Sequence, residues 1–180
     1  MTDDAPSHRG PIVVGVAWQS PAAVIRTAAD FARRFEAELV CAFVDESVYQ
    51  AAFAMDGMGT TIPMDVELAA EVPVTVPEEV EARIAETLGG TGIPWSARAL
   101  EGDPARELAE LAERVDAPLI VVGSRHPGVL GSVREFFAGS IAARLAHIQP
   151  LPVVVVPLTP VARGGALPWT SEHRDSEHEG

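Results

Sequence analysis

The sequence predicts an α/β fold: a five-stranded parallel sheet with helices on both faces. Two observations carry that expectation. Unbroken apolar, β-branched runs recur at residues 12–17, 39–44, 119–122 and 153–156, and such runs suit strands buried on both faces. Between them stand segments whose apolar residues fall at helical spacing, so strand and helix alternate. The right-handed crossover rule then restricts the connections to a few.

The first strand is Ile12-Val13-Val14-Gly15-Val16-Ala17. Ser20-Pro21 follows, with the serine as helix N-cap and the proline in the first helical position. Val24, Ala28, Phe31 and Phe35 then share one helical face, with Arg26, Asp30, Arg33 and Arg34 around the rest. Residues 39–44 form the second strand, which completes a strand–helix–strand unit of about 35 residues. Residues 45–76 carry Met55, Gly57, Met58, Gly59 and Pro63 and read as a long excursion, either functional or disordered.

Pro77 opens a helix with Val80, Ile84 and Leu88 inward and Glu78, Glu79 and Glu81 in its first turn, where the helix dipole favours acids. Gly89-Gly90 stops it. Residues 95–100 are the third strand. Asp103-Pro104 caps the next helix, whose buried stripe is Leu108, Leu111, Ala112 and Val115. Residues 119–122 are the fourth strand. Gly139-Ser140 begins a last helix with Ile141, Leu145 and Ile148 inward, and residues 153–156 are the fifth strand between Pro152 and Pro157. Residues 1–10 and 159–180 are expected to be flexible ends around one domain at 11–158.

The 180 residues carry a net charge of −13. That excludes general nucleic-acid binding, which needs a basic surplus to displace counterions. No apolar run reaches the ~20 residues that span a bilayer, so no membrane partner is expected. The polar first ten residues lack the features of a secretion signal. With a lone Cys41 and so no disulfide scaffold, a cytoplasmic protein is expected. No nucleophile elbow and no P-loop is present. His126 has no partner at metal-ligand spacing, so no metal site is expected. Cys41 lies in a buried strand, where packing outweighs redox chemistry.

The segment from Leu119 to Ser140 is the informative one. A buried strand runs through Gly123 into a loop holding Arg125, His126, Gly128, Gly131 and Arg134, then into a helix start at Gly139-Ser140. Glycines let backbone N–H groups turn toward a phosphate. A helix N-terminus adds unpaired N–H donors and a partial positive charge. In parallel sheets a ligand sits beyond the carboxyl ends of the strands, where strand order reverses. The ends of strands one, two and four converge there.

These residues resemble the universal stress protein family over roughly residues 10–158. The resemblance rests on the opening strand, Glu101-Gly102-Asp103-Pro104, the stretch from Ala117 to Arg125, and Gly139-Ser140 leading to Pro152 and its valine run. It implies an adenine nucleotide alpha hydrolase-like fold with strand order 3-2-1-4-5. It also implies a homodimer, formed through the edge strand Val153 to Val156, and ATP as the cofactor, with Mg2+ only alongside the nucleotide. The candidate nucleotide-binding residues are then Val16, Ala17, Phe43, Val122, Gly123, Arg125, His126, Gly128, Gly139, Ser140 and Ile141.

The chain departs from the family twice. ATP-binding members carry G-x2-G-x9-G-[S/T]; here the pattern is G-x4-G-x10-G-S from Gly123, or G-x2-G-x7-G-S from Gly128. Ala17 stands where those members have an aspartate. Trp18 beside it either stacks on an adenine or fills the pocket. Three functions stay open: a stress-response dimer that binds an adenine nucleotide and hydrolyses it slowly at most, a dimer without ATP that acts through protein contacts or as a chaperone, or an enzyme of a related nucleotide-binding α/β class that uses the site to activate a substrate.

Overall fold

The structure is a computed structural model that describes residues 10–18, 20–45, 74–124 and 140–158. Five strands make one parallel sheet: β1 (Ile12–Val16), β2 (Leu39–Asp45), β3 (Trp95–Glu101), β4 (Ile120–Gly123) and β5 (Val153–Val156). Their order is β3-β2-β1-β4-β5, the order that the resemblance implied. The helices are α1 (Ala22–Phe35), α2 (Glu78–Leu88), α3 (Pro104–Arg114) and α4 (Ile141–Ile148). The expected excursion falls mainly on residues 46–73 and the expected flexible ends on residues 1–9 and 159–180, all outside the described residues.

β1 lies at the centre and is bonded on both sides. Ile12 lies opposite Leu39 and Val16 opposite Phe43, while Val13 lies opposite Ile120. Alternate residues of each central strand point to opposite faces, so an all-apolar strand feeds two cores. On one face Ile12, Val14, Val16, Cys41 and Phe43 pack with Val24, Ile25 and Ala28 of α1 and Ile84 and Leu88 of α2. On the other, Val13, Ala42, Ile120 and Val122 pack with Leu108 and Leu111 of α3 and Leu145 of α4. Gly15 permits the closest approach on that second face. A Cβ there would lie 3.0 Å from Leu108 Cδ1, so α3 rests on β1 where β1 has no side chain.

The helix starts differ in chemistry. Asp103 caps α3, its carboxylate accepting from Arg106 N–H at 3.0 Å. Ser140 caps α4, its hydroxyl accepting from Ala143 N–H at 3.3 Å. The expected cap at Ser20 is corrected. Pro21 itself occupies the N-cap position in an extended conformation, with φ −62° and ψ 140°. Ser20 is therefore one residue too early to reach the helix, and its hydroxyl turns back to Ala17 N–H.

Two inward assignments are also corrected. Phe35 is 51% exposed and Ile148 is 52% exposed. Both end their helices, past the last turn that the sheet covers. The stripe of α1 that is buried runs through Val24, Ile25, Ala28, Ala29 and Ala32. Among the described residues no helix is long and apolar enough to cross a membrane.

Candidate functional site

Strand order reverses at β1, which has β2 on one side and β4 on the other. The carboxyl ends of such strands frame a crevice. A cavity of about 310 Å3 occupies it here. Its floor is made by the strand ends: Gly15, Val16 and Ala17, then Val44, then Val122, Gly123 and Ser124. Pro21 and Val24 wall it on one side; Leu108 and Ile141 wall it on the other, and Leu158 closes it. A Cβ on Gly123 would lie 3.1 Å from Val24 Cγ2 and 3.3 Å from Leu158 Cδ1. Glycine keeps that corner from being overfilled.

Two serines give the cavity its polar character. Ser20 Oγ accepts from Ala17 N–H at 2.7 Å, and Ser20 N–H donates to the Ala17 carbonyl at 3.0 Å. Ser124 Oγ accepts from Leu158 N–H at 2.9 Å, and Ser124 N–H donates to the Val156 carbonyl at 2.8 Å. Each hydroxyl spends a lone pair on the backbone and keeps its proton as a donor. Among the described residues no charged side chain lines the cavity. What these residues offer an anion is hydroxyls and backbone N–H groups.

The start of α4 supplies the latter. Ser140 takes up Ala143 N–H with its hydroxyl and Arg144 N–H with its carbonyl. The N–H groups of Ile141 and Ala142 belong to the same first turn, where a helix offers no internal acceptor and carries its positive dipole end.

Of the expected site residues, Val16, Ala17, Val122, Gly123 and Ile141 meet on this cavity. Ser140 caps the helix that delivers Ile141 to it. Phe43 stands apart, buried beneath Trp18, their ring centroids 5.6 Å apart at an interplanar angle of 89°. Arg125, His126, Gly128 and Gly139 lie outside the described residues. Sequence reasoning passed over Ser20 and Ser124 as contacts. Ser124 directly follows Gly123 in the segment that carried the motif, which was the available signal. Leu158 gave none, because only the pairing of β5 with β4 brings it there.

A model of the universal stress protein family matches residues 8–157. The chain belongs to the universal stress protein family. A 57-residue stretch is 39% identical to the stress response protein NhaX of Bacillus subtilis, covering 32% of this chain and 32% of that relative. Among solved structures, the universal stress protein of Archaeoglobus fulgidus in complex with dAMP is similar over 83% of this chain and 98% of its own, with 22% identity and a TM-score of 0.52. A universal stress protein in complex with cAMP is similar over 83% of this chain and 99% of its own, with 20% identity and a TM-score of 0.51. At such identities the likeness is one of fold.

This universal stress protein also has a larger groove of about 800 Å3 between α3 and α4. Among its charged residues Arg106 pairs with Glu110 along α3 and Arg144 of α4 pairs with Asp103, while Glu113 and Asp116 also line it. It lies along the helices, away from the strand reversal, and the smaller cavity has the better claim to a ligand. Cys41 is fully buried, and burial pushes its thiol up to about 12, so it is protonated and unreactive at neutral pH. Among the described residues no group of three His, Cys, Asp or Glu could hold a metal ion.

Proposed function

We propose that this universal stress protein binds an adenine nucleotide, ATP or its products, in the cavity at the ends of β1 and β4, and acts in the stress response as a cytoplasmic homodimer. One observation carries the reading. The cavity lies at the strand reversal, where Gly123, two hydroxyl donors and the start of α4 face the same space. Adenine nucleotides bound to universal stress proteins of like fold support it. Mg2+ would enter on the nucleotide phosphates. The dimer would form along β5, which bonds to β4 on one side and carries Val155 at 45% exposure; an exposed apolar edge calls for a partner.

Calorimetry with ATP and AMP tests the reading. Saturable binding is expected, weakened about tenfold or more by Ser140→Asp, which keeps a helix cap but sets a charge against phosphate. No heat of binding at millimolar nucleotide would reject it. A second reading, a nucleotide-free dimer that works through protein contacts, is favoured by Ala17, which stands where ATP-binding members have an aspartate. Mass spectrometry of contents released from the purified protein separates the two: a co-purified nucleotide counts against the second.

A further inference from the structure

Trp18 follows the cavity-lining Ala17 and precedes the cavity-lining Ser20 by two positions. Its side chain does not enter the cavity. The residue is 56% exposed, far above what a pocket-filling indole would show. Yet it is held in place. Its carbonyl accepts a hydrogen bond from the Arg83 guanidinium of α2. The turn around it is closed by the two bonds between Ala17 and Ser20. Its ring meets the buried Phe43 edge to face.

An edge-to-face contact with Phe43 occupies at most one of the two indole faces, and more than half of the residue is exposed. A large aromatic ring, held by one ring contact on a backbone pinned at two places and largely left in water, is costly to leave bare, since the burial of its surface would contribute stability. An exposed indole on a pinned turn, next in sequence to the cavity-lining Ala17, can serve as a stacking platform. Every nucleobase has a π-face that such a platform accepts, with little regard to its hydrogen-bonding edge.

We infer that Trp18 is the base-stacking residue of this site. The planar base of the ligand lies against the indole at the rim, and the sugar and phosphate reach into the cavity toward Ser20, Ser124 and the start of α4. The inference rests on the nucleotide reading above and adds to it the part of the ligand that lies outside the cavity. Ala17 has no side-chain group to bond the base or the ribose, so stacking supplies the hold at that end. Recognition by stacking is tolerant: the platform would accept purine bases alike, and the site would discriminate weakly between adenine and guanine.

The experiment uses the full chain with AMP as the probe. The three tryptophans are Trp18, Trp95 and Trp169, so Trp95→Phe with Trp169→Phe leaves Trp18 as the sole emitter. Saturating AMP is expected to quench or shift its emission. In the otherwise native chain, Trp18→Ala is expected to weaken AMP about tenfold, the scale of one stacked base. Trp18→Phe, which keeps a smaller platform and an aromatic contact for Phe43, is expected to lose about threefold at most. GMP is expected to bind within about fivefold of AMP. AMP binding by Trp18→Ala within twofold of the native chain, or unchanged emission at saturation, would overturn the stacking role and leave the nucleotide site standing. Failure of the native chain to bind AMP at all would overturn both.

Discussion

Asp103 and Arg144 join two helices through one carboxylate. One Asp103 oxygen accepts from Arg106 N–H at the start of α3, and the other pairs with the Arg144 guanidinium of α4. The Asp103 side chain is 13% exposed, so the pair is shielded more than a surface bridge. Asp103→Ala is expected to destabilise the protein by about 1–3 kcal/mol, from a lost cap and a lost partner. Asp103→Asn, which still caps, is expected to cost about half as much. Urea denaturation reads both. Equal losses would show that the cap contributes nothing and the pairing carries the effect.

Gly15 and Leu108 make a second test. A methyl on Gly15 would press on Leu108 Cδ1 at 3.0 Å and on Val122 Cγ1 at 3.4 Å. Leu108 is buried and has little room to move. Gly15→Ala is expected to cost about 1 kcal/mol by overpacking, and Leu108→Val is expected to recover part of it in the same background. Thermal melts measure the series; a stabilised Gly15→Ala protein would show that α3 can shift at no cost.

Cys41 sets an alkaline limit. Its thiol is raised from 9.0 to about 12 by burial. In the unfolded chain the thiol ionises near its ordinary value, while in the folded chain it stays protonated. The folded state therefore binds more protons above pH 9. Stability contributed by this group is fully present below pH 9 and falls as pH rises from there toward 12. Denaturant titrations across that window are expected to show the decline, and Cys41→Ala is expected to flatten it. In the native protein at pH 8 the thiol is expected to resist aromatic disulfide reagents until the chain unfolds.

Ser124 joins a structural bond to a place in the cavity lining. Ser124→Ala removes the acceptor for Leu158 N–H and one hydroxyl donor from the cavity. The expected result is a loss of about 1 kcal/mol in stability with AMP affinity reduced roughly fivefold to tenfold. Ser124→Thr keeps the hydroxyl and is expected to retain most of both. Calorimetry and denaturation on the two variants separate the roles.

Val155 tests the proposed dimer. It is 45% exposed on the edge strand β5. Val155→Asp is expected to convert a dimer to a monomer in light scattering with a small change in melting temperature. A dimer that survives the substitution would place the interface elsewhere.

The sheet was legible because its central strands sit between two helix layers. β1 and the adjoining parts of β2 and β4 are apolar at every position, and their short length and β-branched residues mark such runs as strands. Depth was less legible than periodicity. Phe35 and Ile148 share the apolar spacing of their helices, but spacing marks a face, and only the sheet's extent decides how far along that face burial continues. Ser20 was read as a cap because serine before proline suits one. The structure uses Pro21 itself at that position, and the hydroxyl was left to organise the turn at Ala17. Ser124 and Leu158 lie 34 positions apart, and no local pattern links them; they meet because β5 runs beside β4.

That last meeting has a consequence for the cavity as a reporter. Its walls begin at Gly15 and end at Leu158, so they draw on the first strand, the segment just after the last strand and helices from both layers. No shorter fragment reproduces them. A chain interrupted before Leu158 would lack a wall, and so would one whose last strand had peeled away from β4. Anything bound there favours only the complete fold and raises its stability with ligand concentration. Occupancy would then count molecules in which the sheet from β1 to the turn after β5 is still assembled, a direct readout of how much of that fold has survived.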